Sequence, residues 1–199
     1  MTGKNLLSGV LIAGGAYLLF LGGRDLFDSH AGQVEAARQF EQPVPDIPET
    51  RAATQPAGLH VINRGDTVAK LKIPRLDTEL YVVEGDGHRE LRRGPGHLAG
   101  TAMPGEDGNC VIAGHRDTHF RVLKDIREGD DIILQTNEGQ FLYRVKRTRI
   151  VSPENTSALA PTTTAELNLI TCYPFYYVGE APKRFVVEAQ LAGSVHRPS

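Results

Sequence analysis

Residues 167–173 read LNLITCY, and this stretch decides both the fold and the position of the chemistry. Its apolar residues form the pattern of a short buried strand, which Cys172 closes. The following Pro174 and Phe175 do not continue a central strand, because proline has no N–H group to donate to a sheet. The thiol of Cys172 is therefore predicted at the edge of a sheet, where a rigid scaffold can aim a catalytic group into a loop region.

Two further stretches place polar groups at strand ends. Residues 109–116 read NCVIAGHR, a buried strand that ends at His115, and residues 184–187 read RFVV, a strand that opens with Arg184. Histidine can hold a cysteine as its thiolate and can protonate a leaving amine. Arginine can hold a substrate carbonyl or stabilise a developing oxyanion. The three strand ends together predict a thiol-enzyme site with Cys172 as its nucleophile.

The composition predicts a single domain of ordinary size with appendages. The chain has 199 residues, 40% of them hydrophobic, and its net charge of −2 provides no basic field for nucleic acid. From residue 66 onward, short apolar or alternating runs between turn residues predict around eight strands and few helices. This pattern indicates an all-β domain over residues 66–193, a closed or nearly closed barrel, with a tail at 194–199. The expected strands are 68–73, 80–83, 110–114, 131–135, 140–150, 167–172 and 184–191, with a short helix at 120–126.

The N-terminal region has a different character. Residues 6–23 contain no charged side chain, and a run of this length is just enough to span a bilayer as a helix. Lys4 precedes the run, so the positive-inside rule places residues 1–5 in the cytoplasm and the rest of the chain outside. A cleaved signal peptide is the alternative, but the run is long and no clear small-x-small cleavage site follows it. Residues 24–65 are predicted to form a short juxtamembrane helix and a proline-rich linker.

Cys172 also has non-catalytic interpretations. It could be a small buried hydrophobe, or it could pair with Cys110, the only other cysteine. If Cys172 and His115 meet at the same end of neighbouring strands, Cys110 lies five residues back, about 16 Å away at roughly 3.3 Å per residue. That distance exceeds the reach of a disulfide, so the disulfide and the Cys–His site exclude each other. An inert or bonded Cys172 would leave a membrane-tethered barrel that binds ligands without catalysis.

These motifs resemble those of the sortase family. Residues 169–172 (LITC) resemble the family's Thr-Leu-x-Thr-Cys signature, with Asn168 where the first Thr stands. Residues 113–116 (AGHR) resemble the block that carries the family's histidine, and Arg184 follows Cys172 by twelve residues, as the family's arginine does. Four segments look most like those of class D sortases: residues 94–97, 104–105, 114–117 and 172–175. Class E is the next most similar class.

The resemblance implies an eight-stranded sortase-type β-barrel and a cysteine transpeptidase that cuts surface proteins at a C-terminal LPxTG- or LPxTA-like sorting signal. It implies that Cys172 attacks the Thr carbonyl to form a thioacyl enzyme, His115 protonates the leaving amine, and Arg184 positions substrate and stabilises the oxyanion. An amine of a cell-wall peptide precursor or of a pilin lysine would resolve the intermediate. No cofactor, metal ion or nucleic acid is expected. The motif neighbours expected to bind substrate are Thr171, Gly114 and Arg116.

An L,D-transpeptidase-like wall enzyme is a second cysteine-dependent alternative. That family resembles this chain in its exported Cys–His–Arg chemistry, but it places its Gly-Cys and its Arg close together. Here a loop separates Cys172 from Arg184, which argues against this alternative.

Overall fold

The computed structural model describes residues 2–41, 62–177 and 179–196. Two α-helices and eight β-strands make up most of these residues, with short 3₁₀ helices at Pro74–Leu76, His119–Asp125 and Ser157–Leu159. The helices are α1 (Thr2–Glu41) and α2 (His88–Arg93). The strands are β1 (Thr67–Ile73), β2 (Thr78–Glu84), β3 (Gly96–His97), β4 (Asn109–Gly114), β5 (Asp131–Gln135), β6 (Gly139–Val151), β7 (Glu166–Tyr173) and β8 (Lys183–His196).

The eight strands close into a barrel in the order β1-β2-β3-β4-β7-β8-β6-β5. Neighbouring strands are antiparallel, except that β2 pairs with β3 and β4 pairs with β7 in the parallel sense. The ring closes where β1 pairs with β5, so each strand of the barrel has a partner on both sides. The predicted all-β, eight-stranded barrel is confirmed.

The barrel interior holds the main apolar core. Phe141, Tyr143 and Val145 of β6 are buried, and the residues between them are more exposed, as the period-2 pattern predicts. In β1, Leu71 and Ile73 are fully buried and belong to the same core cluster. Burial of apolar side chains on one face of each strand is the main force that fixes the register of the barrel.

The strands differ from the sequence prediction most at β3 and at the end of β8. The list of expected strands contains no strand at residues 94–97, whereas Gly96 and His97 form β3 and bridge β2 to β4. A two-residue strand is too short for a periodic signal and depends entirely on its neighbours. In addition, β8 continues to His196, because β6 extends alongside it to Gly139 and supplies its hydrogen-bonding partners. Residues 194–196 therefore belong to a strand, although the prediction places them in a tail.

The N-terminal region forms one continuous helix over Thr2–Glu41, where the sequence suggests two separate helical segments. The predicted linker over 42–61 lies outside the described residues. Across the parts of the chain that the structure describes, no helix combines the length and the hydropathy that crossing a membrane requires.

The C-terminal turns of α1 dock on the barrel. The Gln33 amide nitrogen donates to the carbonyls of Tyr81 (3.0 Å) and Arg93 (2.9 Å), while its oxygen accepts the Tyr81 N–H at 2.7 Å. Ala36 is completely buried. Gly32 lies so close to α2 that an added Cβ would stand 2.5 Å from the Arg93 Cα, so glycine is required there. These specific contacts fix the end of α1 against β2 and α2.

Asn168, the residue that departs from the family signature, makes a buried polar connection inside the barrel wall. Its amide nitrogen donates to Asn109 Oδ1 at 2.7 Å. The Asn109 nitrogen in turn donates to the carbonyls of Ala158 (2.8 Å) and Ala160 (3.0 Å). The two side chains therefore join β7, β4 and the segment around the 3₁₀ helix at Ser157–Leu159.

We expect Asn109→Ala to lower the free energy of unfolding by about 3 kcal/mol, because it leaves several buried polar groups without partners. Urea unfolding followed by fluorescence or circular dichroism measures the change. Asn137→Ala provides the matched control, since Asn137 is exposed in the β5–β6 turn. Equal unfolding midpoints for the two variants would contradict this role of the asparagine pair.

Candidate active site

The parallel register of β4 and β7 brings the predicted histidine and cysteine together. The two strands pair from Asn109↔Glu166 to Gly114↔Thr171. His115 follows Gly114 directly and Cys172 follows Thr171, so they occupy corresponding positions at the same ends of adjacent strands. Neighbouring strands in a sheet lie about 4.8 Å apart. The two residues are thus neighbours at the ends of β4 and β7, and both line the same pocket.

The antiparallel pairing of β7 with β8 brings in the arginine. Cys172 lies directly opposite Arg184 in that ladder. Directly opposite residues have their Cβ atoms about 4.5–5.5 Å apart and project to the same face of the sheet. Cys172 is therefore flanked by His115 on one side and by Arg184 on the other, and its side chain is only partly buried.

A pocket of about 570 Å³ opens in front of these three residues. This volume falls in the range of roughly 300–1,000 Å³ that is typical of ligand sites. A thiol, an imidazole and a guanidinium converge on it, which is the set of groups that acyl transfer through a cysteine requires. The described residues that line it are His115, Arg116, Asp117, Pro153, Cys172, Gly179, Glu180, Ala181 and Arg184.

The two cysteines do not form a disulfide. Both are free, and Cys110 lies opposite Leu167, five residues along β7 from Cys172. Burial raises the pKa of the Cys110 thiol to about 12, with smaller contributions from nearby carboxylates, so this cysteine stays protonated and unreactive. The disulfide alternative is excluded, and Cys172 is the more accessible thiol of the pair.

Comparison with known proteins agrees with this arrangement. A family model described as "Sortase: Sortase domain" matches residues 71–192, which is more than half of the chain. The chain belongs to the sortase family. Sortases are cysteine transpeptidases, and the assignment removes both the binding-module and the L,D-transpeptidase alternatives.

The similarity to class D sortases extends over almost the whole chain. Sortase D of Bacillus subtilis (strain 168) is 32% identical over 192 residues, which cover 92% of this chain and 96% of that protein. The structure of a Clostridium perfringens Sortase D5 transpeptidase superimposes with a TM-score of 0.65 at 26% identity, covering 83% of this chain and 99% of that one. Sortase SrtE1 of Streptomyces coelicolor is 38% identical over 108 residues, only 49% of this chain and 31% of that protein. The predicted resemblance to class D is confirmed.

Thr171 and Gly114 directly precede Cys172 and His115 in the chain. The buried Thr171 hydroxyl donates to the Gly114 carbonyl at 2.7 Å and joins β7 to β4 at the last register pair before Cys172 and His115. An added Cβ on Gly114 would lie 2.6 Å from the Phe120 ring, so glycine is required at this strand end. Both residues are engaged within the barrel wall, and neither is among the described residues that line the pocket.

Arg116, by contrast, lines the pocket and fastens the β7–β8 connection. Its Nη2 atom donates to the carbonyls of Tyr177 (2.8 Å) and Gly179 (3.0 Å), and its guanidinium lies 5.8 Å from the centre of the Tyr177 ring. Its Nη1 atom is buried and has no hydrogen-bond partner within the described part of the chain. Arg116 therefore positions the loop that carries Gly179, Glu180 and Ala181 into the pocket wall.

Arg184 is also held by the β7–β8 connection. Its Nη1 atom donates to the carbonyls of Ala181 (3.2 Å) and Lys183 (3.1 Å). These bonds orient the guanidinium near the start of β8, where Arg184 lies opposite Cys172. The described residues contain no group of three His, Cys, Asp or Glu side chains that could hold a metal ion.

A second histidine, His119, follows His115 by four residues. It begins the 3₁₀ helix after β4, is buried, and its Nε2 atom lies 2.9 Å from the Ser29 hydroxyl of α1. Burial, reinforced by the neighbouring His115, lowers the pKa of His119 to about 4, so the ring is neutral at neutral pH. A buried neutral imidazole here joins α1 to the segment that carries His115.

We expect the folded state to lose stability as the pH falls from about 6.5 toward 4. The unfolded chain binds a proton at His119 near its ordinary pKa of about 6.5, whereas the folded chain resists protonation until about pH 4. Neutral His119 therefore contributes about 3 kcal/mol to the free energy of unfolding above pH 6.5, and this contribution is lost by about pH 4. Urea titrations between pH 4 and 7.5 should show a steeper pH dependence for the wild type than for His119→Gln. His30→Gln, at an exposed histidine of α1, serves as the control, and equal slopes in the wild type and His119→Gln would disprove the effect.

Proposed function

We propose that this sortase cleaves a C-terminal LPxTG- or LPxTA-like sorting signal and transfers the cleaved surface protein to an amine acceptor of the cell envelope. The observation that carries the proposal is the strand register, which brings Cys172 between His115 and Arg184 at a single pocket. Each of the three has a separate chemical task, and none of these tasks requires a cofactor.

In the first half-reaction, the Cys172 sulfur attacks the Thr carbonyl carbon of the sorting signal, and the scissile C–N bond breaks. His115 gives its proton to the departing amine. The positive charge of Arg184 stabilises the oxyanion that forms on the carbonyl oxygen. The products are a thioester on Cys172 and a released C-terminal peptide.

Three neighbouring residues support substrate binding in this proposal. The unpartnered Nη1 of Arg116 can donate to a carbonyl of the bound peptide, while its Nη2 keeps the β7–β8 connection in place. Thr171 and Gly114 contribute from below, through the hydrogen bond that holds the ends of β7 and β4 in register. The position of Cys172 at the pocket therefore depends on this hydrogen bond.

We also propose that residues 6–23 anchor the enzyme in the membrane, with residues 1–5 in the cytoplasm and the barrel outside. Sortases are generally membrane-associated enzymes with extracytoplasmic catalytic domains, and the uncharged run at 6–23 supports the same arrangement here. Carbonate extraction of membranes from cells that express the full chain tests the proposal. Release of the intact protein into the supernatant would contradict it.

The deciding test of the function uses the full chain with fluorogenic peptides that carry LPxTG or LPxTA, in the presence and absence of hydroxylamine. We expect a mass increase on Cys172 that matches the N-terminal peptide fragment and disappears when hydroxylamine is added. The absence of any adduct, together with resistance of Cys172 to alkylation in the folded protein, would overturn the proposed function.

A further inference from the structure

The path of α1 shows which end of the barrel lies nearest to the proposed membrane anchor. The helix is continuous, so the uncharged run at residues 6–23 leads directly into the segment that docks on the barrel. Ser29 contacts His119 and lines a second pocket of about 200 Å³, which His115 also lines. Ser29 follows residue 23 by six positions, or about 9 Å at 1.5 Å per residue. The end of the barrel that carries His115 is therefore the end closest to the anchor.

Exposed aromatic and basic side chains cluster at this same end of the barrel. Tyr176 of the β7–β8 connection is 73% exposed, and the Arg121 guanidinium lies 5.5 Å from the centre of its ring. Tyr177 is also exposed and is paired in the same way with Arg116. Lys124 is exposed and follows Arg121 by one turn of the 3₁₀ helix at His119–Asp125. We call the following four residues the tyrosine–arginine patch: Arg121, Lys124, Tyr176 and Tyr177.

We infer that the tyrosine–arginine patch is a membrane-contact surface, which lies on the phospholipid headgroups beside the point where α1 enters the bilayer. The inference rests on the membrane anchoring proposed above and adds a second, separate contact to it. An anchor of one helix holds the barrel near the membrane, whereas contact through the patch also orients it. The pocket that contains Cys172 then opens close to the membrane surface.

The side chains of the patch suit a lipid–water interface. Tyrosine is enriched at such interfaces, because its ring is apolar and its hydroxyl group remains in contact with water. The acids of the same segments are already engaged, since Asp125 forms an ion pair with Lys124 and both Asp117 and Glu180 line the pocket of Cys172. Within the described part of the chain, Arg121 has no such carboxylate partner. Its guanidinium is thus available to a lipid phosphate, for which its planar set of donors is well matched.

The position of the patch along α1 also fits the headgroup layer. A bilayer is about 40–45 Å thick with a hydrocarbon core of about 30 Å, so each headgroup layer is roughly 5–8 Å deep. Arg121 is two residues from His119, which contacts α1 about 9 Å beyond the uncharged run. Phe27 of α1, between that run and Ser29, is 71% exposed and provides a further aromatic ring at this level. In the anchored protein, rings from α1 and from the barrel therefore come to the level of the headgroups.

The sequence contains no tryptophan, which makes a direct test possible. Tyr176→Trp gives the full chain a single indole in the patch, and Val195→Trp is the matched control at a site that is 71% exposed. Val195 follows Arg184 by eleven residues in β8, so it lies roughly 35 Å from the active-site end of that strand. Both variants are placed in vesicles of phosphatidylglycerol and phosphatidylcholine that contain a lipid with a nitroxide on its headgroup. We expect the nitroxide to quench the Tyr176→Trp emission about fivefold more strongly than the Val195→Trp emission, because an indole in the patch lies among the headgroups.

The contribution of charge is tested by Arg121→Gln in the Tyr176→Trp protein. Removal of one positive charge near an anionic surface should lower the ratio of contacting to separated barrels about fivefold, and quenching should fall with it. Lys146→Gln, at an exposed cation of β6, is the matched control and should leave quenching unchanged. In detergent, Arg121→Gln should cleave a soluble peptide at the wild-type rate, because Arg121 is not among the described residues that line the pocket of Cys172. Undiminished quenching in Arg121→Gln would contradict the contact between this guanidinium and the headgroups.

The outcomes separate the inference from the proposals on which it rests. If the protein stays in carbonate-washed vesicles but the nitroxide quenches both indoles equally, the inference fails and the proposed anchoring stands. Release of the protein by carbonate would refute the anchoring, and the inference would fail with it. A blue shift of the Tyr176→Trp emission that grows with protein concentration in detergent would place a second copy of the chain on the patch and would overturn the inference. Because quenching needs no sorting signal, a failure of the proposed cleavage reaction would appear only in the peptide assay.

Discussion

Replacement of Cys172 by alanine is expected to abolish both the acyl adduct and all cleavage of the sorting signal, while the barrel still folds. Among the described residues that line the pocket, the Cys172 sulfur is the nucleophile that lies between His115 and Arg184, and neither of those groups can form a stable acyl intermediate in its place. The side chain is partly exposed at the end of β7, so its loss creates no cavity in the core. Mass spectrometry measures the adduct, and fluorescence of the quenched peptide measures cleavage.

Cys110→Ala is the matched control for this prediction. Cys110 is 1% exposed in β4, and burial keeps its thiol protonated, so its removal should cost stability and leave cleavage intact. Appreciable cleavage by the Cys172→Ala variant would show that Cys172 is not the nucleophile. The opposite pattern, in which Cys110→Ala is inactive at a temperature where it remains folded, would point to a chemical role for the buried cysteine.

The second large effect concerns the two residues on either side of the nucleophile. His115→Ala should lower kcat/KM by roughly 10²–10⁴-fold, as the loss of a general acid usually does. Arg184→Ala should lower it by roughly 10²–10³-fold through the loss of oxyanion stabilisation. Both measurements use the fluorogenic peptide with the full chain, and circular dichroism verifies that each variant is folded.

Two control variants sharpen the test of Arg184. Arg184→Lys keeps a positive charge but loses the planar fork, so partial recovery would separate the effect of charge from that of geometry. Lys183→Ala removes a cation from the preceding, exposed position of β8 and should behave like the wild type. Unchanged kinetics in Arg184→Ala would show that this guanidinium does not act on the reacting carbonyl.

Local sequence pattern was sufficient to predict much of the barrel. The alternation of Phe141, Tyr143 and Val145 predicts a strand with one buried face, and these residues do line the core. The apolar run that ends at Cys172 likewise predicts a buried strand whose last residue reaches the surface. Such signals are reliable because burial on one face of a strand repeats every second residue. The motifs at three strand ends also predicted that His115, Cys172 and Arg184 would meet.

Other features depend on contacts that leave no periodic trace in the sequence. The docking of α1 rests on Gln33 with Tyr81, 48 residues apart, and on Ser29 with His119, 90 residues apart. The bonds from Arg116 to the carbonyls of Tyr177 and Gly179 span 61 and 63 residues. Hydrogen bonds between distant residues form only after the strands have set the positions of both partners.

The sequence alone thus determined the candidate site residues and the all-β barrel that presents them, because both follow from short local patterns. The tertiary structure alone decided that α1 packs beside His115, that Arg116 fastens the β7–β8 connection, and that His88, Arg92 and Asp117 enclose a second pocket. These residues come from separate elements with no common motif. Only the closure of the barrel and the docking of the helices bring them together around one cavity.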